Sequence, residues 1–298
     1  MIIDKPGPIT DRICLLGRQD CCVYLLKGDH DYSIIGGGSI HIIPDMMDQI
    51  NQFQIDVKKI QRIIILHTHF DHCSIVPYVK KQWPWMQVIT SERGESLLSK
   101  EHVIQNISFL CQCTLDKYNL TQKAKDMGIS FSGIQVDHVV KDNDTITSSP
   151  LTLQSILVPG HSSCSIAVYV PEEKAMFGSD AGGIPVGEQI FTAANSNFDL
   201  YEASLYRMSQ FDVAIYLAEH YGAVTGTDGQ NFLKKSLESA KSTRAIIEEK
   251  LNHHQTIQEC TKELTTHFLN QFPPNTLPQE IIFMVTEMMV KSLAKNRK

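Results

Sequence analysis

The sequence predicts an α/β protein, with helices covering β-sheets and a helical region at the C-terminal end. Through residues 1–226, short runs rich in Ile, Val and Leu alternate with helical stretches. From Asp228 onward the apolar pattern is purely helical. The chain has 298 residues, 42% hydrophobic and 20% charged, so it can bury a sizeable core without disulfide bonds.

Nine strands and two helices are predicted in the first zone. Most of the strand runs are four to seven residues long and bounded by Gly, Pro, Asp or Ser. The predicted strands are 13–16, 22–26, 32–35, 62–66, 87–90, 151–157, 165–170, 175–178 and 213–217. The predicted helices are 44–53 and 199–211. This alternation favours sheets with helices packed on them.

A helical insertion of about 92–127 interrupts this zone. Val103, Ile107, Leu110, Thr114 and Tyr118 recur at helical spacing between residue 101 and about 126. The insertion either continues the outer helical layer or forms a lid over a site, and the sequence leaves both alternatives open.

Residues 227–298 are expected to form a separate helical region that packs over the site. One face of its first helix is apolar, with Leu233, Leu237, Ala240, Ile247 and Leu251. Residues 256–259 form a capping box for a second helix, and 276–279 resemble another for a third. The proline-containing stretch 272–275 separates the last two helices.

The chemistry is concentrated after one strongly apolar strand. Residues 63–66 lead directly into His67, His69, Asp71 and His72. If the backbone stays extended there, His67, His69 and Asp71 project to one side and His72 to the other. Imidazole and carboxylate groups are ligands that suit zinc, iron and manganese.

Three more apolar runs each end in a ligand-type residue. They are followed by His161, Asp180 and His220. A lone histidine at a strand end is ordinarily a surface residue, so these three positions indicate a metal site only when they are taken together. Seven ligand-type residues after four strands are enough for two divalent metal ions, with one carboxylate bridging them.

The stretch His67-Thr68-His69-Phe70-Asp71-His72 resembles the HxHxDH signature of the metallo-β-lactamase fold superfamily. Residues 159–162 (PGHS), 178–180 (GSD) and 219–222 (EHYG) resemble its later metal motifs, in the same order. The resemblance covers roughly residues 10–226 and implies an αββα sandwich with the metals at one edge. By position, it implies one metal on His67, His69 and His161, a second on Asp71, His72 and His220, and Asp180 as the bridge.

Within the superfamily, residues 72–78 and 88–93 and the two helical regions are similar to the quinolone-signal response thioesterases. That subgroup carries two metals, described as iron, and cleaves acyl-CoA-type thioesters, with C-terminal helices helping to close its active site. The ligand set differs from the di-zinc antibiotic lactamases, whose second site uses a cysteine. It also differs from the flavodiiron reductases, which have Glu where this chain has His69.

Two departures from the family pattern concern the surroundings of the metal site. Many members have an acidic residue near the end of the third strand, where residues 32–38 (YSIIGGG) offer none. We therefore expect that the support of such a carboxylate for the metal loop is absent. The usual glycine before the bridging aspartate is Ser179.

The resemblance implies a hydrolase that depends on two divalent ions, iron or zinc or else manganese, with Asp71 and Asp180 in catalytic roles. Two cations roughly 3.5–4 Å apart lower the pKa of a shared water towards ~7, and the hydroxide attacks a carbonyl or phosphoryl centre. The resemblance to the thioesterase subgroup favours a thioester as the substrate, and a thiolate, with a pKa near ~8.5, leaves with little acid help. The alternatives are a phosphodiesterase or lactonase using the same site, and a non-enzymatic regulatory protein or di-iron sensor.

The net charge and the hydropathy of the chain limit the classes of partner that we expect. The net charge is −6 and the pI about 6.0, which disfavours nucleic acid. No apolar run approaches the ~18–20 residues of a membrane span, and no secretory signal is visible, so a cytoplasmic location without membrane association is expected. The expected substrate is a small ester or thioester. A homodimer through the apolar stripe of the last helix, the packing of that stripe on the sandwich, and a regulatory protein partner are left open.

Overall fold

A computed structural model of the chain describes residues 1–253, 256–272 and 278–295. The strands in these ranges are β1 (Ile2–Ile3), β2 (Gly7–Pro8), β3 (Ile13–Arg18), β4 (Cys21–Lys27), β5 (Tyr32–Ile35), β6 (Ile60–Ile64), β7 (Gln87–Ser91), β8 (His138–Val140), β9 (Thr145–Ser148), β10 (Leu151–Leu157), β11 (Ile166–Val170), β12 (Ala175–Phe177), β13 (Ile184–Val186), β14 (Gln189–Phe191), β15 (Ile215–Leu217) and β16 (Ala223–Val224). The helices are α1 (Ile43–Gln52), α2 (Val76–Gln82), α3 (Glu92–Leu98), α4 (Glu101–Lys117), α5 (Thr121–Met127), α6 (Phe198–Met208), α7 (Gly226–His253), α8 (Ile257–Leu269) and α9 (Gln279–Lys295).

Within the described ranges, most of the strands form two seven-stranded sheets. The first has the order β2-β3-β4-β5-β6-β7-β8 and the second β1-β16-β15-β12-β11-β10-β9. Strands β5 to β8 pair in parallel, and so do β12 and β15. Strands β13 and β14 form a separate hairpin.

The core has three layers, and strand β4 shows why. Its side chains alternate between the two faces of the first sheet, as the two-residue period of a strand requires. Tyr24 and Leu26 pack between the sheets against Phe177 and Leu217 of the second sheet. Val23 and its same-face neighbours pack against the helices outside. The αββα sandwich is therefore confirmed.

Helices α1, α2, α4 and α5 contribute to the outer layer of the first sheet. The insertion joins this layer, because Ile107, Cys111 and Leu115 of α4 are buried in its core. The predicted helical stretch from residue 101 to about 126 is divided into two helices. The chain breaks at Asn119, whose φ is 55°, before α5 begins.

Helices α6 to α9 cover the second sheet. Phe232 of α7 stacks on Tyr216 of β15 with ring centroids 4.2 Å apart. The capping box at Thr256 and Glu259 is confirmed, whereas most of the predicted box at 276–279 lies outside the described residues. Of the apolar stripe of α9, Val285 and Met289 are buried. The exposed residues of the stripe are Ile281, Met284 and Met288.

Several predicted strand limits differ from the structure, and two of the differences have separate causes. Strand 62–66 is found at Ile60–Ile64, because the chain leaves the ladder after Ile65 bonds to Ile89 and carries His67 to the sheet edge. Strand 213–217 begins at Ile215, since Val213 still belongs to a turn closed on Phe211. Strands of two or three residues, such as β1 and β16, are too short to produce a readable alternation. Across the described part of the chain, none of the helices is both long enough and apolar enough to cross a membrane.

Candidate metal centre

The seven predicted ligands meet where strands of both sheets end. They lie after β6, β10, β12 and β15. Because β12 and β15 are parallel neighbours, the segments that carry Asp180 and His220 leave the second sheet at the same edge. The segment after β6 brings in the others from the first sheet.

Three histidines form the first group, which we call triad 1: His67, His69 and His161. Their converging nitrogens are His67 Nε2, His69 Nδ1 and His161 Nε2. The distance from His67 to His69 is 3.2 Å, from His67 to His161 3.3 Å, and from His69 to His161 3.0 Å. His67 is fully buried and His161 is nearly so.

The second group, triad 2, consists of Asp71, His72 and His220. His72 Nε2 lies 3.0 Å from His220 Nε2 and 3.5 Å from Asp71 Oδ2. Asp71 Oδ2 is 3.7 Å from His220 Nε2. The extended-chain prediction that grouped Asp71 with His67 and His69 is wrong. A 3-10 helix, Phe70–His72, begins directly after His69 and turns Asp71 towards the side of His72.

Asp180 lies between the two triads. Its Oδ2 is 3.5 Å from His161 Nε2 and 4.0 Å from His67 Nε2 in triad 1, and 3.3 Å from His72 Nε2 in triad 2. Its Oδ1 is 3.8 Å from His220 Nε2. The side chain therefore has the central position that the resemblance implies for a bridging carboxylate.

In two histidines, the ring nitrogen that faces away from the cluster contacts a backbone carbonyl group. His161 Nδ1 lies 2.8 Å from the carbonyl of Ala193, and His220 Nδ1 lies 2.6 Å from that of Asp20. Each Nδ1 that donates a proton there leaves its Nε2 unprotonated and directed into the cluster. The segment of His161 is held by helix α6, which packs so closely on Gly160 (φ +133°) that a Cβ there would lie 2.2 Å from the Tyr201 nitrogen.

The Nδ1 atoms of His67 and His72 face Ser179 and Glu219, two residues that sequence reasoning did not assign to the site. His67 Nδ1 is 3.1 Å from Ser179 Oγ, and His72 Nδ1 is 3.1 Å from Glu219 Oε2. Both residues were visible as immediate neighbours of predicted ligands. The contact between the Asp20 carbonyl and His220 could not be predicted from the sequence, because a backbone carbonyl contact does not depend on residue type.

Glu219 also corrects the expectation that carboxylate support for the metal loop is absent. Its side chain, 1% exposed, comes from the second sheet and lies beside Gly36 at the end of β5. The carboxylate therefore reaches the metal loop from the opposite sheet.

The electrostatics favour neutral imidazoles in triad 1 and an ionised Asp180. Burial, reinforced by the neighbouring imidazoles, holds the pKa of His67 well below its usual value. Burial together with His161 lowers the pKa of His69 to about 3. Burial opposes ionisation of Asp180, but His72 and His220 outweigh it and hold the pKa of Asp180 well below its usual value. Metal ligands need these protonation states.

His72 lies in a strongly negative environment. Burial lowers the pKa of His72, but the charges of Asp71, Glu219 and Asp180 outweigh it and raise that pKa well above its usual value. Surroundings that favour a proton on this imidazole also favour a metal cation beside it.

The residues present fit two divalent cations. Metal–nitrogen bonds of about 2.0–2.1 Å give a tetrahedral site edges of about 3.3 Å, close to the nitrogen separations in triad 1. Asp180 Oδ1 is buried and, among the described residues, has no hydrogen-bond donor, which is costly unless a cation compensates it. The set of imidazole and carboxylate groups, without a thiolate, suits zinc, iron or manganese.

The cluster is exposed where His69, Asp71 and His220 lie. His69 is partly exposed, and the side chains of Asp71 and His220 are 30% and 18% exposed. Those of His67, His72 and His161 are at most 2% exposed. A substrate therefore approaches from the side of His69, Asp71 and His220.

Comparisons with known proteins agree with this architecture. Residues 17–220 match the family model of the metallo-beta-lactamase superfamily. A relative in Bacillus subtilis (strain 168), named "Probable metallo-hydrolase YqgX", is 24% identical over 166 residues, or 54% of this chain and 66% of the relative.

Solved structures share the fold. A metallo-beta-lactamase family protein from Thermus thermophilus has a TM-score of 0.69 at 15% identity, covering 97% of this chain and 95% of that chain. An archaeal superfamily protein from Sulfolobus tokodaii has a TM-score of 0.60 at 16% identity, covering 99% and 98%. The family match spans more than half of the chain, and the chain therefore belongs to the metallo-beta-lactamase superfamily.

Proposed function

We propose that this chain is a hydrolase that depends on two divalent metal ions and cleaves a thioester of the acyl-CoA type. The observation that carries the proposal is the position of Asp180, whose Oδ2 faces both triads within 4.0 Å. The proposed ligands are His67, His69 and His161 for one ion, Asp71, His72 and His220 for the other, and Asp180 for both. When bound, such a pair of cations acidifies a water molecule and polarises the carbonyl under attack.

The protein itself supplies orientation and a proton carrier. The rear contacts of His161 and His220 hold the imidazole planes in place before substrate arrives. Asp71, the most exposed carboxylate of the cluster, lies on the open side, where the oxygen that does not face His72 and His220 can exchange a proton with solvent or product. The leaving thiolate, with a pKa near ~8.5, does not require that proton.

The charge around the cluster favours a thioester over a phosphodiester. In the described part of the chain, no lysine or arginine forms a hydrogen bond or ion pair with any of the seven proposed ligands. Three carboxylates, Asp71, Asp180 and Glu219, lie in or directly behind the cluster. An anionic phosphodiester would therefore depend on the two cations alone for charge compensation, with no cationic side chain to assist them, whereas a thioester carbonyl is neutral.

The test is a parallel hydrolysis assay. Protein loaded with iron, manganese or zinc is given a panel of acyl-CoA thioesters, a lactone and an activated phosphodiester. Asp180→Ala is the loss-of-function variant, and Asp48→Ala, at an exposed position of α1, is the matched control. Dominant thioester turnover that is lost only in Asp180→Ala supports the proposal.

Other outcomes would overturn it. Dominant turnover of the phosphodiester or the lactone would replace the proposal with the corresponding alternative. An iron-loaded protein that changes its absorption reversibly with oxygen and hydrolyses none of these substrates would be a sensor. Asp180→Ala protein that keeps two metals and full activity would refute the assignment of the bridge.

A further inference from the structure

Behind the cluster lies a buried carboxylate that is not among the seven proposed ligands. Glu219 precedes His220 on the segment that leaves β15, and its side chain is 1% exposed. Its Oε2 lies 3.1 Å from Nδ1 of His72 and 3.7 Å from Nδ1 of His67. These nitrogens lie on the opposite side of each ring from Nε2, which faces the triads.

The contacts differ for the two histidines. His72 Nδ1 is buried and has no well-aligned hydrogen bond in the described residues, and Glu219 Oε2, 3.1 Å away, is the carboxylate oxygen that faces it. His67 Nδ1 is adjacent to the Ser179 hydroxyl, and that hydroxyl donates to Glu219 Oε2. Ser179 holds this position at a φ of 49°, which is strained for a residue with a side chain.

The opposite sheet provides the space for this carboxylate. Gly36 has a φ of +94°, and a Cβ at that position would lie 2.7 Å from Glu219 Oε1. Any side chain at residue 36 would therefore displace the carboxylate from the histidines. A buried, ionised carboxylate is costly unless hydrogen-bond donors and positive charge compensate it. The Ser179 hydroxyl donates to this carboxylate, and the Nδ1 atoms of His72 and His67 lie 3.1 and 3.7 Å from it.

We propose that Glu219 is a positioning residue that couples the two metal sites. It accepts the Nδ1 proton of His72 directly and that of His67 through the Ser179 hydroxyl. One carboxylate thereby fixes the ring orientation and the tautomer of one histidine in each triad, and directs both Nε2 atoms forward. The inference rests on the two-cation centre of the proposed function but not on the identity of the substrate.

The test measures cation binding and not only activity. Zinc affinity at both sites is determined by competition with a chromophoric chelator. In cobalt-loaded protein, the exchangeable imidazole N–H signals are followed by proton NMR. Glu219→Gln keeps the shape of the side chain but removes its charge. The matched control is Glu202→Gln, which alters a partly buried carboxylate of α6 that pairs with Arg244.

For Glu219→Gln we expect zinc affinity to fall at both sites by about 10- to 100-fold. The N–H signals of His67 and His72 should move, while the control leaves both readouts unchanged. Unchanged affinity at either site, or unmoved N–H signals, would overturn the proposal. If Glu219→Gln does not fold, Ser179→Ala decides: it should weaken triad 1 more than triad 2, and equal or absent effects would refute the relay.

The proposal for Glu219 and the proposed function can be refuted independently of each other. Wild-type protein that binds two zinc ions but hydrolyses no thioester would refute the thioesterase and leave the role of Glu219 standing. An active thioesterase whose zinc affinities do not respond to Glu219→Gln would refute only the coupling.

Discussion

The substitution Tyr216→Phe should destabilise the protein, because it removes a single buried hydroxyl beneath the segment of Asp180. Tyr216 is 0% exposed, and its hydroxyl lies 2.7 Å from the carbonyl of Ser179 and 2.9 Å from that of Gly183. Burial holds the pKa of Tyr216 well above its usual value, so the hydroxyl remains a donor at any working pH. Phenylalanine keeps the stacking on Phe232 but leaves these carbonyls without that donor.

A buried acceptor left without its donor costs about 1–3 kcal/mol of unfolding free energy. In a chain of this size, that lowers the melting temperature by roughly 2–10 °C. The measurement is urea and thermal unfolding of the metal-free protein. Tyr206→Phe, at a position of α6 that is 60% exposed, is the control and should unfold as the wild type does. An unchanged urea midpoint for Tyr216→Phe would show that this hydroxyl does not hold the segment.

Three further predictions concern the metal centre and the ion pairs. Asp180→Asn should lower zinc affinity at both sites, since one carboxylate faces both triads; competition titration measures this, and loss at one site only would contradict a bridge. Adding zinc to the metal-free protein should raise its melting temperature, because a ligand that binds the native state stabilises that state. The same zinc concentration should raise the melting temperature of Asp180→Ala by less. Equal shifts for the two proteins would argue against zinc binding at this cluster. Burial alone would raise the pKa of Asp31, but hydrogen bonds from Arg62 and Ser148 outweigh it and lower that pKa. The resulting stability is fully present above the unfolded pKa near ~3.9 and is lost as the pH falls through the lower folded value. Urea unfolding at pH 3 and pH 6 should therefore show a smaller pH-dependent loss for Asp31→Asn than for wild type, and equal losses would refute this assignment.

The fold could be predicted from sequence wherever a local pattern was long and strongly periodic. Strands β5 and β10 were predicted with the limits that the structure has, and the capping box at Thr256 opens a helix as expected. Short elements could not be predicted, because a strand of two residues such as β16 is defined by its partners in the sheet and not by its own composition.

The members of the metal cluster were also visible locally. Strands that are apolar on both faces end in ligand-type residues, and the spacing of His67, His69, Asp71 and His72 is specific. Their division into triads did not follow from the extended-chain argument, which placed Asp71 with the wrong histidines. The 3-10 turn after His69 decides that grouping, and only the family resemblance anticipated it.

The sequence by itself determined the chemistry available to this protein: which imidazole and carboxylate groups exist, and that they follow buried strands. The tertiary structure decided how they are oriented. The carbonyl of Asp20 behind His220 and the carboxylate of Glu219 beside Gly36 come from segments far apart in the chain. Such contacts leave no local periodicity or spacing, because they arise only when the two sheets pack face to face and bring their edges together.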